Sequence, residues 1–268
     1  MPYSLSRWTD VPAAKWEWFK DRLAEGHMLA FNPQDAIPSR WSLKPAETLG
    51  LVFWTKDPSN LIADAAILQD FLVKIHVTVT GWGEVEKGAP SLAQGAQLLC
   101  EAARTFGAGN VTWRFSPVPL VPDVVDRFQR IAAMAEDAGV QSVYLSFLQT
   151  NDRMAETRTA EERFVILQEI AKSAGGRGIN VRLCNEDGLL RGRVDLSPNL
   201  TTGICAPPED FALSGSAKAP AEGCGCVLMV DPFTVNETCS IGCQYCYAAD
   251  ETLSPRKRNT TRSLPVVP

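Results

Sequence analysis

The sequence predicts an α/β chain folded as a full or partial (β/α)8 TIM-like barrel, and three observations lead there. Short apolar runs alternate with longer stretches of helical period. Eight such runs occur, the number of strands in a closed parallel barrel. Almost every run is followed by polar or charged residues, as expected where parallel strands deliver side chains to one rim.

Taken in order, residues 3–6 (Tyr-Ser-Leu-Ser) form the first candidate strand, with Arg7 and Asp10 beyond it. Residues 13–25 carry Trp16, Phe19 and Leu23 at helical spacing. Residues 28–31 form the second candidate, ended by Asn32, and 50–55 the third, ended by Lys56 and Asp57. The fourth, 73–80, closes on Thr80 with Glu84 and Glu86 after it, and a helix over 91–106 follows. The fifth, 111–115, contains Arg114 and meets Ser116; the helix 123–138 leads to the sixth, 142–147, and on to Gln149 and Asn151. The helix 159–174 precedes the seventh, 180–184, which ends at Cys184 beside Asn185 and Glu186. The eighth, 226–231, ends at Asp231, with Asn236 beyond. Strand–helix–strand repetition requires parallel strands joined by crossover helices. Any one polar residue at a strand end is also what a solvated loop supplies; the ring of Arg, Lys, Asp and Glu taken together indicates a functional rim.

Composition narrows the chemistry. The chain has 268 residues, 45% of them hydrophobic, enough to fill one large core or two small ones. Its net charge of −5 gives no basic field for nucleic acid. The first residues lack the basic start and apolar run of a secretory signal, and no stretch of about 18 apolar residues is present to span a bilayer. The chain therefore reads as soluble and cytoplasmic, with no membrane partner. His27 and His76 are the only two histidines and read as structural.

Seven of the eight cysteines fall at or after Cys184; Cys100 lies earlier, within a predicted helix, as a buried thiol. In a cytosolic chain of this size the late group suggests metal rather than disulfides. Cys239, Cys243 and Cys246 stand as Cys-Ser-Ile-Gly-Cys-Gln-Tyr-Cys, a C-x3-C-x2-C run with Tyr245 before the third thiol. Three thiolates at that spacing can hold three irons of a [4Fe–4S] cubane and leave the fourth iron open for a small molecule. Two other readings compete. A closed electron-transfer cluster recruits a fourth cysteine, with Cys224 or Cys226 near in sequence, and a zinc site needs a fourth ligand and usually shows C-x2-C pairs. Cys184, Cys205, Cys224 and Cys226 form a second group: a second [4Fe–4S] cluster, a zinc site, or unconnected buried thiols.

The cysteine run with Tyr245 resembles the signature of the radical S-adenosylmethionine superfamily. The wider context resembles the domain-of-unknown-function family 1848, carried by Ser6-Arg7-Trp8-Thr9-Asp10-Val11-Pro12, Val52-Phe53-Trp54-Thr55-Lys56-Asp57-Pro58, Thr78-Val79-Thr80-Gly81-Trp82-Gly83-Glu84, Val111-Thr112-Trp113-Arg114-Phe115-Ser116-Pro117, and Cys224-Gly225-Cys226 running into the cysteine motif. The resemblance implies S-adenosylmethionine on the open iron, an electron passed into its sulfonium, and a 5′-deoxyadenosyl radical that abstracts hydrogen. It implies a reductant such as ferredoxin or flavodoxin and a small-molecule or peptide substrate.

Two features depart from ordinary members of that superfamily. The cysteine run follows the last strand, not the first, which a circular permutation of the barrel tolerates because those strands are neighbours. The usual Gly-Gly-Glu is missing; Gly175-Gly176-Arg177 lies at the wrong end of its strand. Permutation places the cofactor's amino and carboxylate groups near Arg7, Asp10, Thr80 and Arg114, although Arg7 and Asp10 can equally pair to brace the barrel. Lys56, Glu84, Glu86 and Gln149 are the substrate-pocket candidates. Residues 1–248 then form a single permuted barrel with a C-terminal cluster-binding loop, cysteine-rich over 184–248. Residues 249–268, with Pro255-Arg256-Lys257-Arg258, read as a mobile tail. The rival functions are a non-enzymatic iron–sulfur electron carrier and a DNA-lesion repair lyase, the latter opposed by the acidic balance.

Overall fold

The structure is a computed structural model and describes residues 1–5, 8–31, 38–149, 152–213, 225–232 and 239–246. Arg7, Cys224 and the predicted tail over 249–268 lie outside the described residues. The chain runs β1 (Tyr3–Leu5), α1 (Val11–Ala14), α2 (Trp16–Glu25), β2 (His27–Phe31), β3 (Pro38–Ser42), β4 (Leu51–Thr55), α3 (Ser59–Ala63), β5 (Val73–Thr78) and α4 (Leu92–Phe106). It continues through β6 (Val111–Phe115), α5 (Val124–Asp137), β7 (Ser142–Leu145), α6 (Ala160–Gly175), β8 (Asn180–Leu183), β9 (Leu200–Thr202) and β10 (Asp231–Pro232). No helix among the described residues is long and apolar enough to cross a membrane.

Seven strands form one sheet in the order β1-β4-β5-β6-β7-β8-β9, parallel throughout. Alternation along each strand divides the side chains between two faces. Phe53 points outward into the helical layer, with Phe19 edge-on at 5.5 Å and Trp16 at 6.1 Å. Trp113 and Phe115 meet Phe128 of α5 in the same way. The opposite face is unusually polar: Trp54, His76, Arg114, Tyr144 and Arg182 occupy it in successive strands. It is filled by returning chain, with Ala206, Phe211, Cys226, Val227 and Met229 packed against Val52. Ser91 and Thr159 open α4 and α6 with reciprocal capping boxes, each worth about 1 kcal/mol.

Residues 28–31 were expected to be the second barrel strand. They belong instead to a separate antiparallel sheet, β10-β2-β3. The cause is local. Gly26 ends α2 in the left-handed conformation (φ 70°) and sends the chain directly into β2. Met28 and Ala30 are buried while Leu29 is exposed, the one-sided pattern of an antiparallel strand. The seventh sheet position goes to β9, three residues with only Leu200 buried, too short a run to register as a period. The expected eighth strand is reduced to one parallel bridge, Val230 to Tyr3, held by Ser4 N–H to the Val230 carbonyl at 2.9 Å and Val230 N–H to the Pro2 carbonyl at 3.0 Å. The expected barrel closure is absent: among the described residues the seven parallel strands form a sheet with no pairing between β9 and β1. The end of the chain does return beside its beginning. The expected helix over 13–25 is broken at Lys15 into α1 and α2.

Candidate functional site

The cysteine loop docks on the loops that follow β1, β4 and β5, the C-terminal rim of the sheet. Cys243 forms an antiparallel bridge with Glu86, Gln244 N–H donates to the Val85 carbonyl at 2.9 Å, and Gly88 N–H donates to the Ile241 carbonyl at 2.9 Å. The approach at Gly88 excludes a side chain: a Cβ there would lie 2.7 Å from the Ser240 oxygen and 2.8 Å from Ile241 Cα. Gly242 turns the loop between the first two cysteines at φ 62°. Tyr245 stacks on Trp82 at 5.4 Å, and its carbonyl accepts from Arg153 N–H at 2.9 Å.

Beneath the loop lies a buried polar knot centred on Glu86. Lys56 Nζ donates to Glu86 Oε1 at 2.7 Å, the Tyr245 hydroxyl donates to the same oxygen at 2.6 Å, and Thr80 Oγ1 donates to Oε2 at 2.6 Å. Burial alone would raise the Glu86 pKa; the Lys56 charge and the three donors more than offset it and hold the group ionised. Burial, then the Glu86 charge, push the Tyr245 phenol well above its ordinary range, so it stays a donor.

Asp10 links the loop to the sheet. One carboxylate oxygen caps α1 through Ala13 N–H at 3.1 Å, and the other accepts Lys56 N–H at 2.7 Å. Burial raises its pKa to about 6 despite these donors. The Cys239 thiol receives the backbone N–H groups of Asp10 and Ile241, yet burial leaves its pKa raised. Burial likewise carries Cys243 up to about 12.

All three thiols line one cavity of about 320 Å³, with Asp10, Lys56, Trp54, Arg114 and Cys205 also in its wall. Among the described residues no three His, Cys, Asp or Glu side chains are gathered around one point as the ligands of a single metal ion. The donor set is three soft thiols on one loop, open to a shared cavity, with the cations Lys56 and Arg114 in the same wall. That suits the net negative charge of a thiolate-bound iron–sulfur cluster.

The sequence-predicted residues divide. Asp10, Lys56 and Arg114 meet at the cavity with Cys239, Cys243 and Cys246. Thr80 and Glu86 are brought close but are engaged in the knot under the loop, so Glu86 holds the loop and Thr80 holds Glu86. Glu84 is exposed and offers its carbonyl to Gln244. Gln149 lies elsewhere on the rim, donating to Glu186 Oε1 at 2.7 Å. Neither of these two lines the cavity. Cys205 Sγ lies 4.0 Å from Cys184 Sγ and 3.3 Å from Cys226 Sγ. His76, read as structural from the sequence, stacks on Trp54 at 4.1 Å; Trp54 and Gly88 were not among the site candidates. Trp54 and Gly88 matter only through register and loop docking, which a single sequence does not encode.

The fold and site define an α/β protein with a seven-stranded parallel sheet and a cysteine loop at the C-terminal rim. The chain belongs to the family described as Domain of unknown function (DUF1848), whose model matches residues 3–248. Comparison with curated proteins finds no match. Among solved structures the chain is similar to D-psicose 3-epimerase from Clostridium cellulolyticum H10, determined with D-tagatose. Identity is 14% and the TM-score 0.32, over 73% of this chain and 88% of that one.

Proposed function

We propose that this protein is a radical S-adenosylmethionine enzyme in which Cys239, Cys243 and Cys246 hold a [4Fe–4S] cluster. The observation that carries the reading is the common opening of all three thiols onto one cavity walled by Lys56, Asp10 and Arg114. The bridge from Val230 to Tyr3 supports a permuted arrangement, since it brings the cysteine-bearing end of the chain beside the first strand. When bound, the cluster and its cofactor together supply one-electron cleavage of a sulfonium and a radical that removes hydrogen from a substrate.

The chain's own residues do the rest. Glu86, Tyr245 and Lys56 fix the loop, and the Trp82–Tyr245 stack covers its far side. Arg114 offers a buried Nη1 with no partner among the described residues, suited to a carboxylate of the cofactor. Asp10 was expected to receive the cofactor's amino group; with both oxygens accepting backbone N–H groups, its role is to position the loop and α1. Trp54 and Trp8 wall the cavity and limit water. A small-molecule or peptide substrate and a ferredoxin or flavodoxin reductant complete the proposal.

One observation favours the rival electron carrier: a further thiol, Cys205, lines the same cavity as the three loop cysteines. Electron paramagnetic resonance of the reduced protein separates the two. The enzyme reading expects the signal to change when S-adenosylmethionine is added, in wild type and Cys205→Ala alike. A signal indifferent to the cofactor favours the carrier.

A further inference from the structure

We propose that Cys205 and Cys226 form a reversible disulfide on the inner face of the sheet, a dithiol redox site separate from the cysteine loop. Their Sγ atoms lie 3.3 Å apart. A disulfide bond is about 2.0 Å long, so the sulfurs need to approach by only about 1.3 Å, within reach of side-chain torsions. The backbone holds them in place. Val227 N–H donates to the Ala206 carbonyl at 2.9 Å, so the residues that follow the two cysteines are hydrogen-bonded neighbours. Gly203 N–H donates to the Leu183 carbonyl at 2.9 Å and the Tyr144 hydroxyl donates to the Ile204 carbonyl at 2.7 Å, which fastens the Cys205 segment to β8 and β7. The seat is close: a Cβ at Gly203 would lie 2.6 Å from Arg182 Cβ. Two thiols held together in this way react with each other in preference to a free thiol in solution.

Exposure divides the roles. Cys205 is half-buried and lines both the cavity of the cysteine loop and a second cavity of about 600 Å³, whereas Cys226 is buried. Cys205 is therefore the thiol that meets an oxidant, and Cys226 the one that resolves it. The oxidant is a small-molecule disulfide. Cys205 Sγ, as thiolate, attacks one of its sulfurs; that S–S bond breaks, and the departing sulfur takes up a proton. Cys226 Sγ then attacks Cys205 Sγ in the mixed disulfide and expels the second small thiol. Two protein thiols are oxidised to one disulfide, and one small disulfide is reduced to two thiols. Cys184 Sγ, farther from Cys205 at 4.0 Å, stays a thiol. Once linked to Cys226, Cys205 presents no free thiol to the cavity that it shares with Cys239, Cys243 and Cys246. The site stands whether or not the loop holds a cluster.

The test is equilibration of the folded full chain in buffers of oxidised and reduced glutathione, alkylation of the remaining thiols, and peptide mapping by mass spectrometry. With excess oxidised glutathione a Cys205–Cys226 link is expected, and excess dithiothreitol is expected to open it in the folded protein. The Cys239→Ala/Cys243→Ala/Cys246→Ala variant, which removes the competing loop thiols, is expected to form the same link and to lose about two free thiols per chain in doing so. Cys224→Ser is expected to keep the link. Cys226→Ser is expected to lose it and to accumulate glutathione on Cys205, the outcome of an entry thiol without its resolving partner. Should Cys226→Ser not fold, wild type and Cys224→Ser still decide between the partners. Cys205 and Cys226 both remaining thiols under excess oxidised glutathione overturn the proposal. So does a wild-type link from Cys205 to Cys184 or Cys224, or one that resists dithiothreitol in the folded state. None of these results alters the proposed function, which is read from iron and S-adenosylmethionine.

Discussion

The hydroxyl of Tyr245 donates to Glu86 Oε1 at 2.6 Å, tying the residue before the third cysteine to a carboxylate that follows β5. Lys56 completes the pair from the loop after β4, so three separate segments converge under the candidate cluster. Tyr245→Phe removes one hydrogen bond to an ionised acceptor, a loss of about 1.5–3 kcal/mol, while keeping the Trp82 stack. Glu86→Ala leaves the Lys56 ammonium buried and unpaired and destabilises by about 3–5 kcal/mol. Glu86→Leu with Lys56→Met recovers part of that loss. Chemical denaturation measures the stabilities, and iron retained after reconstitution is expected to follow the same order.

Gly88 sets the distance between the loop after β5 and the cysteine loop. Gly88→Ala forces Ser240 and Ile241 away from their seat, since a Cβ there overlaps backbone and not a flexible side-chain tip. The variant is expected to keep its circular dichroism and to lose most of its bound iron. Full iron occupancy in Gly88→Ala would show that the loop does not need this docking.

Asp10 gives the cluster-free protein a pH signature. Its carboxyl titrates near pH 6 when folded, above the ordinary value of 3.8. The folded state therefore binds the proton more tightly. The stability contributed by this group is fully present below the unfolded value and is lost as pH rises through about 6. The loss is on the order of 3 kcal/mol. The difference in unfolding free energy between wild type and Asp10→Asn, measured from pH 4 to pH 7, is expected to change by that amount. A constant difference would contradict the burial assigned to Asp10.

Much of this architecture is legible in the sequence, for physical reasons that can be named. The strands of the main sheet other than β9 show as short apolar runs because their outward side chains are buried against the helices, and α4, α5 and α6 show through their period. The antiparallel role of residues 28–31 was hidden in Gly26, whose left-handed turn decides direction without changing composition. The cysteine motif marked the loop, and Lys56, Asp10 and Arg114 were found because polar residues at parallel strand ends converge. The inward partnership of Trp54 with His76 depends on β4–β5 register, and the docking of Gly88 against Ser240 spans most of the chain. Gln149 and Glu84 share the motif residues' position after a strand but not their orientation, which the local sequence does not specify.

The central claim is that the Cys239, Cys243 and Cys246 thiolates hold a cluster that delivers an electron to S-adenosylmethionine. Its most direct measurement is 5′-deoxyadenosine, quantified by mass spectrometry after anaerobic reconstitution, reduction with dithionite and addition of the cofactor. The account predicts 5′-deoxyadenosine and methionine in equal amounts from wild type and from Cys184→Ser, and none from Cys243→Ala. A fully iron-loaded wild type that forms neither product would contradict it.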